Sequence, residues 1–483
     1  MIRVRKTKII STLGPATDSP AMLRALARAG VNIFRLNMSH ANHDWVRTTV
    51  THIRAIEKEC CLTLGILMDT QGPSIRTGDL SSKLELKAGD SFTFTVRGHV
   101  SEEIRSVDTN YDDLVNDIHV GDVVLVDNGV IHMVVREKND RELRCEVLTS
   151  GTLGSRRHIN LPGIKVNLPA LTEKDLEDVH VGVETGVNYI ALSFVREAND
   201  MQVLRQIVDS LGAADRIRLV AKIEDQSAVR NIREIIDAAD AVMVARGDLG
   251  IEVPFEELPI IQRKIVKKCV AARKPVIVAT HMLESMIENP LPTRAEITDV
   301  ANAVFEEADC IMLSGETTVG KYPVKCVEIL DKVARRIERS GTIGFHEDIL
   351  LGDDRNKVAS SAVHLADQVH ADGLVVFTRA GRSAALCAAL RPRWSRIFAF
   401  TPDADIAGRL TLNYGVQPEV IPFSEDPEEN IKMAEATLLE KNILPLGASL
   451  VVLSDIREGG KFFYAVQLRR LGAGEAGRCD FND

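Results

Sequence analysis

The sequence contains few aromatic residues and no long apolar run. Phe, Trp and Tyr make up 4% of its 483 residues, so aliphatic side chains must form most of the core. No apolar stretch approaches the roughly 18 residues that a membrane-spanning helix requires. The N-terminal residues lead directly into a short strand-like run and lack the apolar region of a secretory signal peptide. These absences argue against a membrane partner.

The cysteines and the charge exclude two further classes. Eight cysteines are scattered without a C-x-x-C pair, and Cys60 and Cys61 are too close together for an ordinary disulfide. This usage indicates reduced thiols in the cytoplasm. The net charge of −10 argues against a nonspecific nucleic-acid binder, because neutralising phosphates requires clustered Lys and Arg.

Eight short apolar runs alternate with amphipathic helical stretches. Strands that alternate with helices pair in parallel, and eight such units predict a closed (β/α)8 barrel, a TIM barrel of the α/β class. An open, doubly wound sheet is the alternative, but polar residues at the ends of the runs favour the barrel. The eight runs cover residues 8–13, 31–36, 62–69, 189–195, 217–223, 241–245, 276–279 and 310–313.

Two segments interrupt or follow this alternation. More than a hundred residues separate the third run from the fourth, and their turn signals and alternating strands predict an inserted β-domain. After a polar linker at 348–356 comes a second α/β pattern. We therefore expect a catalytic barrel at 1–70 and 168–345, an inserted domain at 71–167 and a C-terminal α/β domain at 346–483.

The first candidate site lies at the end of the second run. Arg35, Asn37 and Ser39 share one side of a strand because side chains alternate. The Arg35 guanidinium matches the geometry of a phosphate, although alone it is more typical of a surface salt bridge. Together with Asp69 and Thr70 after the third run, these oxygens suit a group-1 or group-2 cation better than zinc.

The second candidate site combines Lys222 and Glu224 with Asp248. A buried Lys–Glu pair on one strand can be purely structural. Asp248 follows the next strand, and two carboxylates at neighbouring strand ends can hold Mg²⁺ while substrate and water complete its octahedron. Lys222 would then face the charge that develops beside the metal.

Seven strings carry a resemblance to the pyruvate kinase family. They occur in order along nearly the whole chain: TLGPAT at 12–17, RLNMSH at 35–40, MDTQGP at 68–73, AKIED at 221–225, ATHMLESM at 279–286, PTRAE at 292–296 and LSGET at 313–317. The resemblance implies a TIM barrel interrupted by an inserted β-barrel domain and followed by an α/β effector-binding domain. The short N-terminal segment is similar to that of bacterial members.

The resemblance also implies an activity and a set of substrate-binding residues. The family transfers the phosphoryl group of phosphoenolpyruvate to ADP, giving pyruvate and ATP in glycolysis. Lys222 and Arg35 would contact the transferring group, and Glu224 and Asp248 would hold Mg²⁺ or Mn²⁺. The main-chain N–H groups of Gly247 and Asp248 would bind the substrate carboxylate together with Thr280, which would also help to protonate the enolate.

Further positions match the nucleotide and potassium sites of the family. Those near the nucleotide are Pro15, Asn37, His40, Arg76 and Lys174, and those near K⁺ are Asn37, Ser39, Asp69 and Thr70. For Pro15 and Lys174, a turn proline and a solvated lysine are equally good interpretations. Arg76 belongs to the inserted domain, which we expect to close as a lid.

Two positions depart from the family pattern. Members that require K⁺ usually carry an acid where this chain has Ser74, and independent members carry Lys. Because no ammonium can replace the ion, we predict stimulation by a monovalent cation. His281 stands where Gln is commoner, with no predicted consequence.

The C-terminal domain contains a loop suited to phosphate. Hydroxyls and main-chain N–H groups meet there at a helix start, and the loop resembles the sugar-phosphate effector loop of the family. An ordinary strand-to-helix loop is the alternative. Residues 455–464 lack the Asn/Thr-rich turn of many relatives, so the identity of the effector stays open. The candidate residues are Thr378, Arg379, Gly381, Arg382 and Ser383.

Two other functions compete with this interpretation. A Mg²⁺-dependent lyase or aldolase acting on pyruvate enolate needs no nucleotide lid, so Arg76 and the inserted domain speak against it. A non-catalytic sugar-phosphate sensor would be expected to have lost Lys222, Glu224 or Asp248, and all three are present. The family resemblance implies a homotetramer.

Overall fold

The computed structural model describes residues 5–103, 105–164, 166–458 and 461–472, and the remaining residues of the predicted domains lie outside this description. Within these ranges eight parallel strands close into a barrel, which confirms the predicted fold class. Each predicted run coincides with one strand to within a few residues, and consecutive strands pair around the ring. In chain order the strands are Lys8–Thr12, Ile33–Asn37, Gly65–Asp69, Tyr189–Leu192, Arg218–Ile223, Ala241–Ala245, Val276–Ala279 and Cys310–Leu313.

Helices cover the outside of the barrel. The amphipathic stretch at 227–239 forms two helices instead of one, because Asn231 leaves helical geometry and donates from Nδ2 to the Arg196 carbonyl at 2.9 Å. The long helices are Pro20–Ala29, His43–Cys60, Glu173–Thr185, Ala198–Ser210, Leu258–Ala271, Arg294–Phe305 and Pro323–Glu338. The shorter ones are Gln226–Arg230, Ile232–Ala238, Arg246–Glu252, Glu284–Ile287 (3₁₀) and Gly315–Thr318.

The barrel interior is filled by aliphatic side chains and Tyr189. Ile10, Ile33, Leu67 and Met243 are among the fully buried members of this cluster. Such a packed interior leaves the polar chemistry to the carboxyl ends of the strands. Tyr189 also donates its hydroxyl hydrogen bond to the Gly408 carbonyl at 3.1 Å, which ties the barrel floor to the C-terminal domain.

The inserted segment is a separate sheet domain. Its six-stranded sheet is mostly antiparallel. Residues 76 and 77 lie against both of its edges, because Arg76 forms a single bridge with His158 and Thr77 forms one with Thr109. A two-stranded sheet lies beside it. The strands are Leu84–Leu86, Ser91–Thr95, Ser106–Asp108, Val123–Val126, Ile131–Lys138, Glu142–Val147, Gly151–Leu153 and Ile159–Asn160, with one short helix at Leu114–Asp117.

The C-terminal domain contains a five-stranded sheet with four parallel strands and one antiparallel edge strand. In spatial order the strands are Val416–Val420, Arg396–Thr401, Gly373–Phe377, Ser449–Glu458 and Lys461–Arg470. The helices are Phe345–Asp348 (3₁₀), Asp354–Gln368, Arg382–Ala389, Ala404–Arg409 and Pro427–Glu440. Of the 455–464 stretch without an Asn/Thr-rich turn, residues 459 and 460 lie outside the described residues.

None of the helices in the described ranges combines the length and the apolar character that crossing a bilayer demands. Seven cysteines in the same part of the chain are free thiols.

Candidate active site

Lys222 occupies the centre of the candidate site, near the carboxyl end of the fifth barrel strand. Its ammonium lies 2.7 Å from Oγ of Ser193, 2.9 Å from Oε1 of Glu224 and 3.2 Å from Oδ1 of Asp69. Glu224 directly follows this strand, two residues after Lys222, and extended backbone places the two side chains on the same side. The pairing that the sequence predicts is therefore present, and Ser193 is an additional partner.

Arg35 meets the same cluster from the second strand. Its Nε lies 2.6 Å from Oδ2 of Asp69, and its Nη1 donates to Oγ1 of Thr12 at 3.1 Å. The fully buried Asp69 carboxylate thus contacts Arg35 through one oxygen and Lys222 through the other. This carboxylate holds two cations at the rim of the barrel.

The charges of this cluster shift one another's pKa values. Burial opposes ionisation of Asp69, but Arg35 and Lys222 outweigh it and lower the pKa of the carboxyl. Burial likewise opposes the Lys222 cation, and Asp69 and Glu224 outweigh it and raise the pKa of the ammonium. Lys222 is therefore a persistent cation.

For Glu224, the effect of burial on the pKa outweighs that of the neighbouring Lys222 cation. Burial raises the pKa of this carboxyl to about 7, Lys222 opposes the shift, and the negative charge of Asp248 adds to it. Oε2 of Glu224 accepts a hydrogen bond from the main-chain N–H of Phe194 at 2.7 Å. Both carboxylate oxygens are thus oriented by the protein before any ligand binds.

The residues of the predicted substrate-carboxylate pocket meet at Thr280. The Gly247 N–H donates to Oγ1 of Thr280 at 2.7 Å, and that hydroxyl donates to the Ala279 carbonyl at 2.6 Å. Thr280 has a φ of 70°, an uncommon conformation for a β-branched residue. Strain of this kind persists where the surrounding structure enforces it.

Arg246, which the sequence interpretation did not single out, supplies that enforcement. The side chain is buried and donates from Nη2 to the Thr280 carbonyl at 2.5 Å. Its Nη1 lies 2.7 Å from Oδ1 of Asp299. A buried arginine in the RGDLG string is the signal that could have identified it.

A cavity of about 330 Å³ opens above these residues. Its wall includes eight of the predicted site residues: Arg35, Asn37, Ser39, Thr70, Arg76, Lys222, Glu224 and Asp248. Asp69 is buried in contact with this group, and Gly247 and Thr280 contact each other. The chemical core of the prediction is thus assembled at one place.

Three predicted nucleotide residues do not line this cavity. Pro15 and His40 are exposed. Lys174 donates to the Met38 carbonyl at 2.8 Å and lies 2.7 Å from Oδ2 of Asp178. Lys174 is therefore attached to the end of the second strand, with part of its side chain exposed.

The inserted domain adds cationic residues to the cavity wall that the sequence interpretation missed. Arg156, Arg157 and His158 all line it, next to the predicted Arg76. Arg76 donates to the Arg156 carbonyl at 3.3 Å. Burial lowers the pKa of His158, while Asp248 opposes the shift. Three successive basic residues just before the chain returns to the barrel are the signal that could have revealed this wall.

The donor set fits a divalent cation with few protein ligands. Glu224 and Asp248 approach one cavity from neighbouring strand ends. Among the described residues no group of three or more His, Cys, Asp or Glu side chains is arranged around a common metal position. Two carboxylates in a wide polar cavity are what Mg²⁺ uses when phosphate oxygens and water complete its coordination.

Of the two residues that depart from the family pattern, one lines this cavity and the other does not. Ser74 lines it and accepts a hydrogen bond from Nε of Arg76 at 3.1 Å. His281 is exposed, and its Nε2 lies 3.6 Å from Oε2 of Glu284. Ser74 is thus in direct contact with an arginine side chain.

The predicted effector loop has its hydroxyls engaged. Oγ1 of Thr378 accepts a hydrogen bond from the Gly381 N–H at 2.9 Å, and Oγ of Ser383 accepts one from Nη2 of Arg355 at 2.6 Å. Arg379 lies over the Phe423 ring, 5.1 Å from its centroid. The loop leads into the helix Arg382–Ala389 as expected.

Comparisons with known proteins agree with this geometry. The family model for the pyruvate kinase barrel domain matches residues 4–327, and the model for the pyruvate kinase alpha/beta domain matches residues 356–462. Plastidial pyruvate kinase 2 of Arabidopsis thaliana is 42% identical over 93% of this chain and 78% of its own length.

A bacterial relative and a solved structure extend the comparison. The pyruvate kinase of Geobacillus stearothermophilus is 38% identical over 94% of this chain and 78% of its own length. The crystal structure of a pyruvate kinase from Cryptosporidium parvum superimposes with a TM-score of 0.90 at 34% identity, covering 97% of this chain and 96% of that one. This chain belongs to the pyruvate kinase family.

Proposed function

We propose that the rim of the barrel transfers the phosphoryl group of phosphoenolpyruvate to ADP, with Lys222 and Arg35 on the transferring group. Family membership supplies the reaction, that of a kinase acting on phosphoenolpyruvate and ADP. The observation that carries the residue assignment is the position of Lys222. Its buried ammonium lies within 3.2 Å of both Glu224 and Asp69 in a cavity that also presents Arg35.

The two cations stabilise negative charge on the phosphoryl oxygens. Phosphoryl transfer depends on positioning and electrostatic stabilisation more than on covalent help from the protein. Lys222 is held by three oxygens and needs little reorganisation when the charge develops. Arg35 uses Nε and Nη1 within the protein, and no described residue accepts a hydrogen bond from its Nη2, which is left for a phosphoryl oxygen.

Glu224 and Asp248 are the proposed ligands of Mg²⁺ or Mn²⁺. The bound ion would neutralise substrate and phosphoryl oxygens. Gly247, Asp248 and Thr280 bind the substrate carboxylate. Since the Gly247 N–H donates to Oγ1 of Thr280 in the free protein, the carboxylate must replace that hydroxyl as its acceptor. The released Thr280 hydroxyl can then orient the proton donor for the enolate.

K⁺ and the nucleotide are assigned to the remaining rim residues. Oxygens of Asn37, Ser39, Asp69 and Thr70 are the proposed ligands of K⁺, a hard cation suited to this donor set. Five residues are proposed to contact the nucleotide. They are Pro15, Asn37, His40, Arg76 and Lys174, and Arg76 brings the inserted domain over the cavity as a lid.

The proposal also covers the effector site, the oligomeric state with its location, and the domain boundaries. The loop with Thr378, Arg379, Gly381, Arg382 and Ser383 receives a phosphorylated allosteric effector. The chain works as a cytoplasmic homotetramer, as the family resemblance implies. The proposed domain boundaries lie between residues 70 and 71, between 167 and 168, and between 345 and 346.

The proposal is tested by following pyruvate formation coupled to lactate dehydrogenase. Pyruvate is expected only when phosphoenolpyruvate, ADP and a divalent cation are all present, with one ATP formed per pyruvate. Pyruvate released at the same rate without ADP would instead indicate lyase or phosphatase chemistry. Binding of phosphoenolpyruvate without turnover under any of these conditions would support a sensor.

A further inference from the structure

A second cavity, of about 220 Å³, lies between the barrel floor and the C-terminal domain. Its barrel side is formed by residues at the starts of strands, including Tyr189, Arg218 and Ala241. The candidate active site is at the opposite ends of the strands, so the two cavities are separate. On the other side the wall is built from the start of the helix Arg382–Ala389 and from the segment around Arg409.

The wall of this cavity is strongly cationic. Four arginines line it, at positions 218, 273, 382 and 409, against one carboxylate, Asp240. Asp240 is already used, because its oxygens lie 2.9 Å from Nη2 of Arg205 and 3.5 Å from Nη1 of Arg218. For Arg273, Arg382 and Arg409, no described residue accepts a side-chain hydrogen bond or forms an ion pair.

Arg409 is the most informative of these residues. Only 8% of it is exposed, and its buried Nε has no hydrogen-bond partner. Burial lowers the pKa of its guanidinium and the Arg218 charge lowers it further, while Asp403 and Asp215 oppose these effects. Burying a cation without an acceptor is costly, and an anion in the cavity would remove that cost.

We infer that this cavity binds a small phosphorylated molecule, whose phosphate is held by Arg409, Arg382 and Arg273. Guanidinium groups match phosphate oxygens in pairs, and the start of the helix Arg382–Ala389 forms part of the cavity wall. Ile406, Leu410 and Leu412 supply an apolar wall for the carbon skeleton. The volume equals that of roughly seven waters, which suits a phosphate with a short organic part.

This cavity adjoins the effector loop proposed above, because Gly381 and Arg382 line it, but the inference does not depend on the proposed function. Thr378 and Ser383, the hydroxyl residues of that loop, do not line the cavity. Gly381 and Arg382 are thus shared by the cavity and the loop, whereas Thr378, Arg379 and Ser383 belong to the loop alone. The two sites can be separated by mutation.

Equilibrium dialysis of the full chain with radiolabelled inorganic phosphate tests the inference. Arg409→Met removes the buried cation, and Arg273→Ala removes an exposed one. Arg216→Ala is the matched control, because Arg216 is an exposed arginine near the barrel floor that does not line the cavity. Ser383→Ala controls for the effector loop.

The parent chain is expected to bind one more phosphate per chain than the Arg409→Met variant. In the Arg273→Ala variant, the dissociation constant of that phosphate is expected to rise at least tenfold. Arg216→Ala and Ser383→Ala should keep it. If Arg409→Met does not fold, as judged by circular dichroism, Arg273→Ala decides alone. The inference is overturned if the cavity variants bind phosphate with unchanged number and affinity, or if only Ser383→Ala loses a phosphate.

Discussion

Nζ of Lys222 lies 2.9 Å from Oε1 of Glu224, and both residues are buried at the rim of the barrel. The second oxygen of Glu224 accepts the Phe194 N–H, so this carboxylate cannot rotate away without losing two partners. A cation that binds Glu224 must therefore share the carboxylate with Lys222. This arrangement places the proposed metal next to the proposed phosphoryl-binding ammonium.

Glu224→Gln is expected to weaken divalent-cation binding. The variant removes one of two proposed carboxylate ligands, and the Mg²⁺ concentration for half-maximal activity should rise by about tenfold or more. Mn²⁺ affinity, measured by electron paramagnetic resonance, should fall by a similar factor. Glu252→Gln is the control, since Glu252 does not line the active-site cavity. Equal Mn²⁺ affinity in both variants would contradict the ligand assignment.

The buried carboxyl of Glu252 should make the free energy of unfolding depend on pH. It lies in the barrel and accepts a hydrogen bond from Nδ2 of Asn160 in the inserted domain at 3.1 Å. Burial raises the pKa of its carboxyl to about 7, and the Asn160 hydrogen bond opposes the shift. The folded state therefore binds an extra proton between pH 4.5 and 7, and stability falls as the pH rises through this range.

Glu252→Gln should remove this cost because the amide is never charged. The variant should gain about 2–3 kcal/mol relative to the parent at pH 8 compared with pH 5. Oδ1 of Asn160, which is buried without a hydrogen-bond partner, can accept from the new amide. Unfolding in urea at the two pH values measures the difference. A constant difference between parent and variant would refute the assignment to Glu252.

Ser74 predicts stimulation by a monovalent cation. No lysine ammonium replaces the ion at this position, and Ser74 already accepts a hydrogen bond from Arg76. We expect a higher rate in K⁺ than in tetramethylammonium at equal ionic strength. Ser74→Lys should reduce this dependence, whereas Ser74→Ala should keep it. Equal rates of the parent chain in both salts would remove the prediction.

If the effector loop binds a phosphorylated activator, a substitution in it should reduce activation and leave the basal activity intact. Ser383→Ala removes a hydroxyl that accepts from Arg355 and that is proposed to face the effector phosphate. Activation by a panel of sugar phosphates should weaken by about tenfold, while the rate at saturating phosphoenolpyruvate stays within about twofold. Arg355→Ala serves as a second variant acting on the same contact. Undiminished activation in Ser383→Ala would place the effector elsewhere.

Strand periodicity explains why much of the barrel, and the clustering of polar side chains at its rim, could be predicted. Alternating side chains place Lys222 beside Glu224, and the parallel barrel brings the end of the third strand, with Asp69, to the same rim. These relationships follow from spacing along the chain and from one rule of fold. The position of Glu224 beside Lys222 and the position of Asp69 at the same rim could both be predicted without knowing any long-range contact.

The rest of the site depends on tertiary contacts that spacing does not encode. Ser193 and Arg246 acquire their roles from Lys222 and Thr280, which are 29 and 34 residues away. The break at Asn231 likewise arises from a hydrogen bond to a neighbouring loop, although the apolar pattern continues through it. The arginine cavity needs two domains to meet before it exists.

Turnover of Lys222→Met tests the central claim most directly. The measurement is kcat for ADP-dependent pyruvate formation at saturating Mg²⁺ and substrates, with folding verified by circular dichroism. Loss of a preorganised donor costs roughly 3–4 kcal/mol in the transition state, so kcat should fall at least about a hundredfold. A folded variant that turns over at nearly the parent rate would contradict the role of Lys222 in phosphoryl transfer.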